Sequence, residues 1–125
     1  MDILSSRVII HAVDLSRSRA FYEDVLGLSI YRQWGVGVAY FIGGGHLELS
    51  GSSSRTHAST TLWLQLPSLN GVEAQLRQQG VPIVKPAEAM PWGLIELWVQ
   101  DPDGNELRLI EIPETHPIRQ RPPGT

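Results

Sequence analysis

The sequence predicts an α+β fold assembled from two copies of one β-α-β-β-β unit. Three observations lead there. Two alternating runs, residues 7–13 and 61–66, are each followed by a side chain able to cap a helix, an apolar stripe at helical spacing, and a glycine. Short alternating strands then follow each helix, separated by turn residues. Laying Arg7 on Thr61 sets Asp14 on Ser68 and brings Gly27 to within one residue of Gly80, a weak internal repeat.

In the first copy, residues 7–13 are rich in β-branched side chains and read as a strand, and the Asp14 and Ser16 side chains can cap a helix running to about Leu26. Phe21, Val25 and Leu28 supply its apolar stripe, and Gly27 can end it in the left-handed conformation. Strands are expected at about 29–33, 36–42 and 46–50, the last two joined through Gly43-Gly44-Gly45. Residues 51–59 are Ser-rich and polar and read as a linker. In the second copy a strand at 61–66 precedes a helix capped by Ser68, striped by Leu69, Val72 and Leu76 and stopped at Gly80. Strands follow at 82–85, 94–100 and 106–112. Between the last two lies Asp101-Pro102-Asp103-Gly104-Asn105, with Pro where φ must be near −65° and Gly where φ should be positive. The expected organisation is a single domain over 1–112, with module 1 at about 4–50 and module 2 at about 60–112. The Pro-rich tail, 113–125, carries four prolines and no apolar periodicity, so no chemistry is assigned to it.

At 125 residues the chain has the length of one domain. A net charge of −3 with ten scattered basic residues gives no nucleic-acid footprint. The absence of cysteine excludes disulfides, thiolate metal sites and Cys nucleophiles. No run of roughly 18 apolar residues and no basic leader occurs, so a cytoplasmic protein without membrane partners is the default expectation. Neither a Gly-x-Ser-x-Gly elbow nor a phosphate-cradling Gly-x-x-x-x-Gly-Lys run is present.

The segments Asp14-Leu-Ser-Arg-Ser-Arg-Ala-Phe-Tyr-Glu-Asp-Val-Leu-Gly-Leu28 and Pro91-Trp-Gly-Leu-Ile-Glu-Leu-Trp-Val-Gln-Asp-Pro-Asp-Gly-Asn105 resemble the vicinal-oxygen-chelate superfamily, which includes glyoxalase I, bleomycin-resistance proteins, fosfomycin-resistance enzymes and extradiol dioxygenases. The resemblance implies paired βαβββ modules forming a partly open, cup-shaped mixed sheet, usually in a homodimer. It also implies metal-ligand positions on the strands lining the cup, which here fall on Arg7, Glu48, Thr61 and Arg108. A guanidinium has no lone pair to give and stays charged at any working pH, so only Glu48 remains a conventional ligand. No metal of the family type and no other cofactor is expected.

Strand alternation groups Arg7 with His11, Thr61 with Trp63 and Gln65, Glu96 with Trp98 and Gln100, and Glu106 with Arg108 on one face. Leu62, Leu64, Leu66, Leu97, Val99, Leu107 and Leu109 point the other way, toward the helices. The first face suits a planar or aromatic small molecule with polar groups: indoles give contact area and charges give orientation. Candidate ligand-binding residues are Arg7, His11, Glu48, Thr61, Trp63, Trp98 and Arg108, with Trp34 and Trp92 at a rim. The competing readings are an internal ion cluster of Glu48 between Arg7 and Arg108, and Trp63 and Trp98 as plain core. His46, His57 and His116 fall near loops or in the tail. Three functions fit: a metal-free binder resembling bleomycin-resistance proteins and sequestering an antibiotic or other aromatic compound; a glyoxalase- or dioxygenase-type lyase or isomerase using Glu48 or His11; and an interaction module with an empty cup.

Overall fold

The computed structural model describes residues 1–51 and 60–117. Eight strands alternate with two short helices: β1 (Arg7–His11), α1 (Leu15–Ala20), β2 (Ile30–Trp34), β3 (Gly37–Ile42), β4 (Gly45–Ser50), β5 (Thr61–Gln65), α2 (Val72–Gln78), β6 (Ile83–Ala89), β7 (Ile95–Gln100) and β8 (Glu106–Glu111). They make two four-stranded mixed sheets, ordered β1-β4-β3-β2 and β5-β8-β7-β6, neither of which closes on itself. The repeat read from the sequence is thus a repeat of topology. In each copy the first strand pairs in parallel with the last, and the remaining pairs are antiparallel.

The chain divides into two compact units. One comprises the described residues up to Thr60 together with Pro102–Gly104; the other runs from Thr61 to Asp101 and resumes at Asn105. The tip of the β7–β8 turn thus belongs to the first unit. There the Asp103 carboxylate accepts bonds from the Val13 N–H at 3.4 Å, Arg17 Nη2 at 3.3 Å and the buried Ser18 hydroxyl at 3.1 Å. The turn itself forms as its residues dictate: Asp101 accepts from the Asn105 backbone N–H and from its side-chain amide, and Gly104 has φ of 87°.

In the first unit the helix begins at the Asp14 cap, whose carboxylate accepts from the Arg17 N–H. It does not continue as a regular α-helix to Leu26. From Phe21 to Val25 it widens into a π-helical turn closed by Leu26 N–H bonding to Phe21 O. Phe21 and Tyr22, the first two residues of this turn, are both buried. Tyr22 stacks on Tyr40 from β3, and the Tyr40 hydroxyl donates to Glu23 at 2.7 Å. Arg19 Nε donates to the same carboxylate at 2.6 Å. This bond first of all holds the Glu23 carboxyl below its usual range, while burial, helped by Glu23, pushes the Tyr40 phenol up.

In the second unit Ser68 does not cap the helix. Its hydroxyl accepts from the Asn70 N–H in the turn before it, and α2 starts after Gly71, its cap residue, whose φ is 76°. The neighbouring Leu69 N–H bonds to Glu111 Oε1 on β8 at 2.7 Å. Leu69 and Leu76 are buried as the stripe requires, and Gly27 and Gly80 both have positive φ at the helix ends. The helix-facing sides of β7 and β8, Leu97, Val99, Leu107 and Leu109, are buried almost completely. Each contributes about 1.5–3 kcal/mol of apolar burial. Strand β6 runs four residues past its expected end at Lys85, with register shifts between Ile83 and Lys85 and between Lys85 and Glu88. Pro86 sits in the second, where a missing N–H is tolerated.

Candidate functional site

Alternation places the chemistry on the sheet faces turned away from the helices. In the second unit one row crosses all four strands: Trp63 pairs with Arg108, Arg108 with Trp98, and Trp98 with Lys85. Aromatic rings and cations therefore alternate from β5 through β8 and β7 to β6. The Arg108 guanidinium carbon stands 4.0 Å from the Trp98 ring centroid and the Lys85 ammonium 5.6 Å from it, both in cation–π range. Trp63, 49% exposed, is not core. Thr61 opens the same strand and is exposed.

Behind this row lies a carboxylate that the sequence placed on this face without a role. Glu96 is only 3% exposed and gives each oxygen to an indole: Trp98 Nε1 donates to Oε1 at 2.8 Å and Trp92 Nε1 to Oε2 at 2.7 Å. It stands opposite Ile110, which is buried with Leu94 and Ile112. The signal was the spacing Trp92-x-x-x-Glu96-x-Trp98, in which the last two residues share a strand face. Trp92 is consequently a held ring, 54% exposed, with His116 Nε2 2.9 Å from its carbonyl oxygen.

Arg7 and Glu48 meet in the first unit, Nη1 to Oε1 at 2.9 Å. In the second unit Arg108 gives its Nε to Glu106 at 2.8 Å, two residues along its own strand. His11 ends β1 exposed. His46, at the start of β4 beside the turn, stacks on Tyr31 with centroids 4.3 Å apart and lies 5.5 Å from Phe41. Trp34 ends β2 with its ring against Gly37, and His57 lies outside the described residues.

The donor set does not fit a divalent metal at the four positions the superfamily would use. Two are guanidiniums, one is a hydroxyl, and the one carboxylate is already paired with a guanidinium. Among the described residues no group of three or more His, Asp or Glu side chains is arranged to hold an ion. No step through a metal is therefore derived. Among the described residues no helix is long and apolar enough to cross a membrane.

Solved structures similar to this chain share its fold. A lactoylglutathione lyase from Agrobacterium tumefaciens is 20% identical, with a TM-score of 0.71 over 84% of this chain and 90% of that one. A glyoxalase-related enzyme from Fulvimarina pelagi is 19% identical, with a TM-score of 0.73 over 89% and 88%. A virulence protein from Salmonella typhimurium is 24% identical, with a TM-score of 0.70 over 90% and 98%. No curated protein matches. The family model for the Glyoxalase/Bleomycin resistance protein/Dioxygenase superfamily matches residues 6–109, and with two mixed four-stranded sheets in the order described, the chain belongs to that superfamily.

Proposed function

We propose that this chain is a metal-free, non-catalytic binder of a planar aromatic small molecule, comparable in role to the bleomycin-resistance proteins of its superfamily, with an antibiotic or another aromatic toxin as its ligand. The observation that carries the reading is the Trp63–Arg108–Trp98–Lys85 row, in which exposed ring area and fixed cations alternate on one open sheet face. Ring stacking supplies affinity without a metal, and the charges orient the bound molecule. Arg7, Glu48, His11 and Thr61 belong to the same reading as residues that would contact the ligand in a homodimer. Isothermal titration against a panel of aromatic antibiotics and metabolites tests it: a ligand bound tighter than millimolar supports the binder, whereas no binding together with measurable turnover overturns it. Light scattering tests the dimer, for which the mass of two chains is expected.

One observation favours a second reading, a lyase or isomerase with Glu48 as base. Arg7 engages Glu48 through Oε1, and Oε2 has no partner among the described residues. Were Glu48 a base, Glu48→Gln would lower turnover by orders of magnitude; were it only paired with Arg7, it would lower stability instead.

A further inference from the structure

Arg7 and Arg108 spend their donors differently. Arg7 turns a terminal amino group, Nη1, to Glu48. Arg108 is held at its inner edge, by Nε on Glu106, and across its plane by the Trp98 ring. Among the described residues neither terminal amino group of Arg108 meets an acceptor, and its side chain is 37% exposed. A guanidinium fixed on an inner edge and a face has already lost most of its rotamer freedom, so binding through its outer edge costs little further entropy. That outer edge is a planar two-donor fork, the shape complementary to a carboxylate.

The carboxylates nearest the row are engaged: both Glu96 oxygens accept from indole N–H groups, and Glu106 accepts from Arg108 through Oε2. Lys85 spends its ammonium on the Pro86 and Glu96 carbonyl oxygens and on Glu88. What stays open is a pair of donors, the Arg108 fork and the Trp63 indole N–H, which has no acceptor among the described residues, beside an exposed indole face on the adjoining strand. Neighbouring strands lie about 4.8 Å apart, so a ring attached directly to a carboxylate on Arg108 reaches Trp63.

We infer that the ligand is an aromatic carboxylic acid, its carboxylate on the outer edge of Arg108 and its ring against Trp63. This rests on the aromatic-binder reading and narrows it to one chemical class.

The test compares 2-naphthoate, 2-naphthamide and 2-naphthylmethylammonium by titration calorimetry, with the four tryptophan indole N–H resonances followed by NMR. Naphthoate is expected to bind at least roughly tenfold tighter than the amide, to shift the Trp63 indole resonance, and to fall to the amide's affinity in Arg108→Gln. Arg108→Lys, which keeps the charge and loses the fork, serves if the glutamine variant does not fold, and is expected to lose most of the same advantage. Equal binding of naphthoate and amide, preference for the ammonium, or an advantage that survives at Arg108→Gln overturns the acid assignment while leaving an aromatic binder. Failure of all three probes overturns the aromatic-binder reading as well.

Discussion

The Trp98 indole N–H points into the buried Glu96 carboxylate, 2.8 Å from Oε1. Trp98→Phe keeps a smaller ring beneath Arg108 and deletes that donor, leaving a carboxylate oxygen buried without it. The variant is expected to lose about 1–3 kcal/mol of unfolding free energy in urea titration. Glu96→Gln presents an amide to two N–H donors and is expected to lose a similar amount. Glu106→Gln, which removes a half-exposed partner of Arg108, is expected to cost less than about 1 kcal/mol.

Stability should fall at both ends of the pH scale through one hydrogen-bonded trio. Glu23 has a lowered pKa in the folded protein, chiefly from the Arg19 hydrogen bond, so the unfolded chain takes up the proton first as pH drops below about 4.3, and stability is lost there. Tyr40 has a raised pKa, chiefly from burial, so the unfolded chain releases the proton first above about pH 10, and stability is lost as pH rises. Thermal unfolding against pH should show Glu23→Gln flattening the acid limb and Tyr40→Phe the alkaline one.

Gly37 is where β3 passes under Trp34. A Cβ there would stand 2.7 Å from Trp34 Cζ2 and 2.9 Å from the Leu49 carbonyl oxygen, and the carbonyl, part of the sheet ladder, cannot yield. Gly37→Ala is expected to cost about 1–3 kcal/mol in chemical denaturation. Gly44→Ala, with nothing within 4 Å of the added carbon, should change stability little.

Elemental analysis of protein purified without chelators or a histidine tag should find well below one zinc, nickel, iron or manganese per chain. Two guanidiniums at ligand positions would repel such an ion. Near-stoichiometric metal would overturn that reading of Arg7 and Arg108 and call for glyoxalase and dioxygenase assays.

Much of the strand architecture was legible because alternation is a strong code. Leu97, Val99, Leu107 and Leu109 could only bury together if Trp98 and Arg108 faced the other way. Local chemistry competing with tertiary bonds was not legible. Ser68 has the right side chain for a cap, but its hydroxyl accepts from Asn70 in a turn that Glu111, 42 residues away along the chain, holds through the Leu69 N–H, and the helix starts later, after Gly71. At the site, residue types and faces were readable, but partners were not. Arg108 pairs with Glu106, a carboxylate two positions along the same strand and on the same face.

Asp103 has a consequence for synthesis on the ribosome. Residues up to Thr60 emerge long before it, yet the Ser18 hydroxyl and the Val13 amide find their acceptor only when Asp103 arrives. Until then the Ser18 hydroxyl lacks that partner. The native hydrogen-bond set of the first half is therefore completed only after most of the second half has been translated.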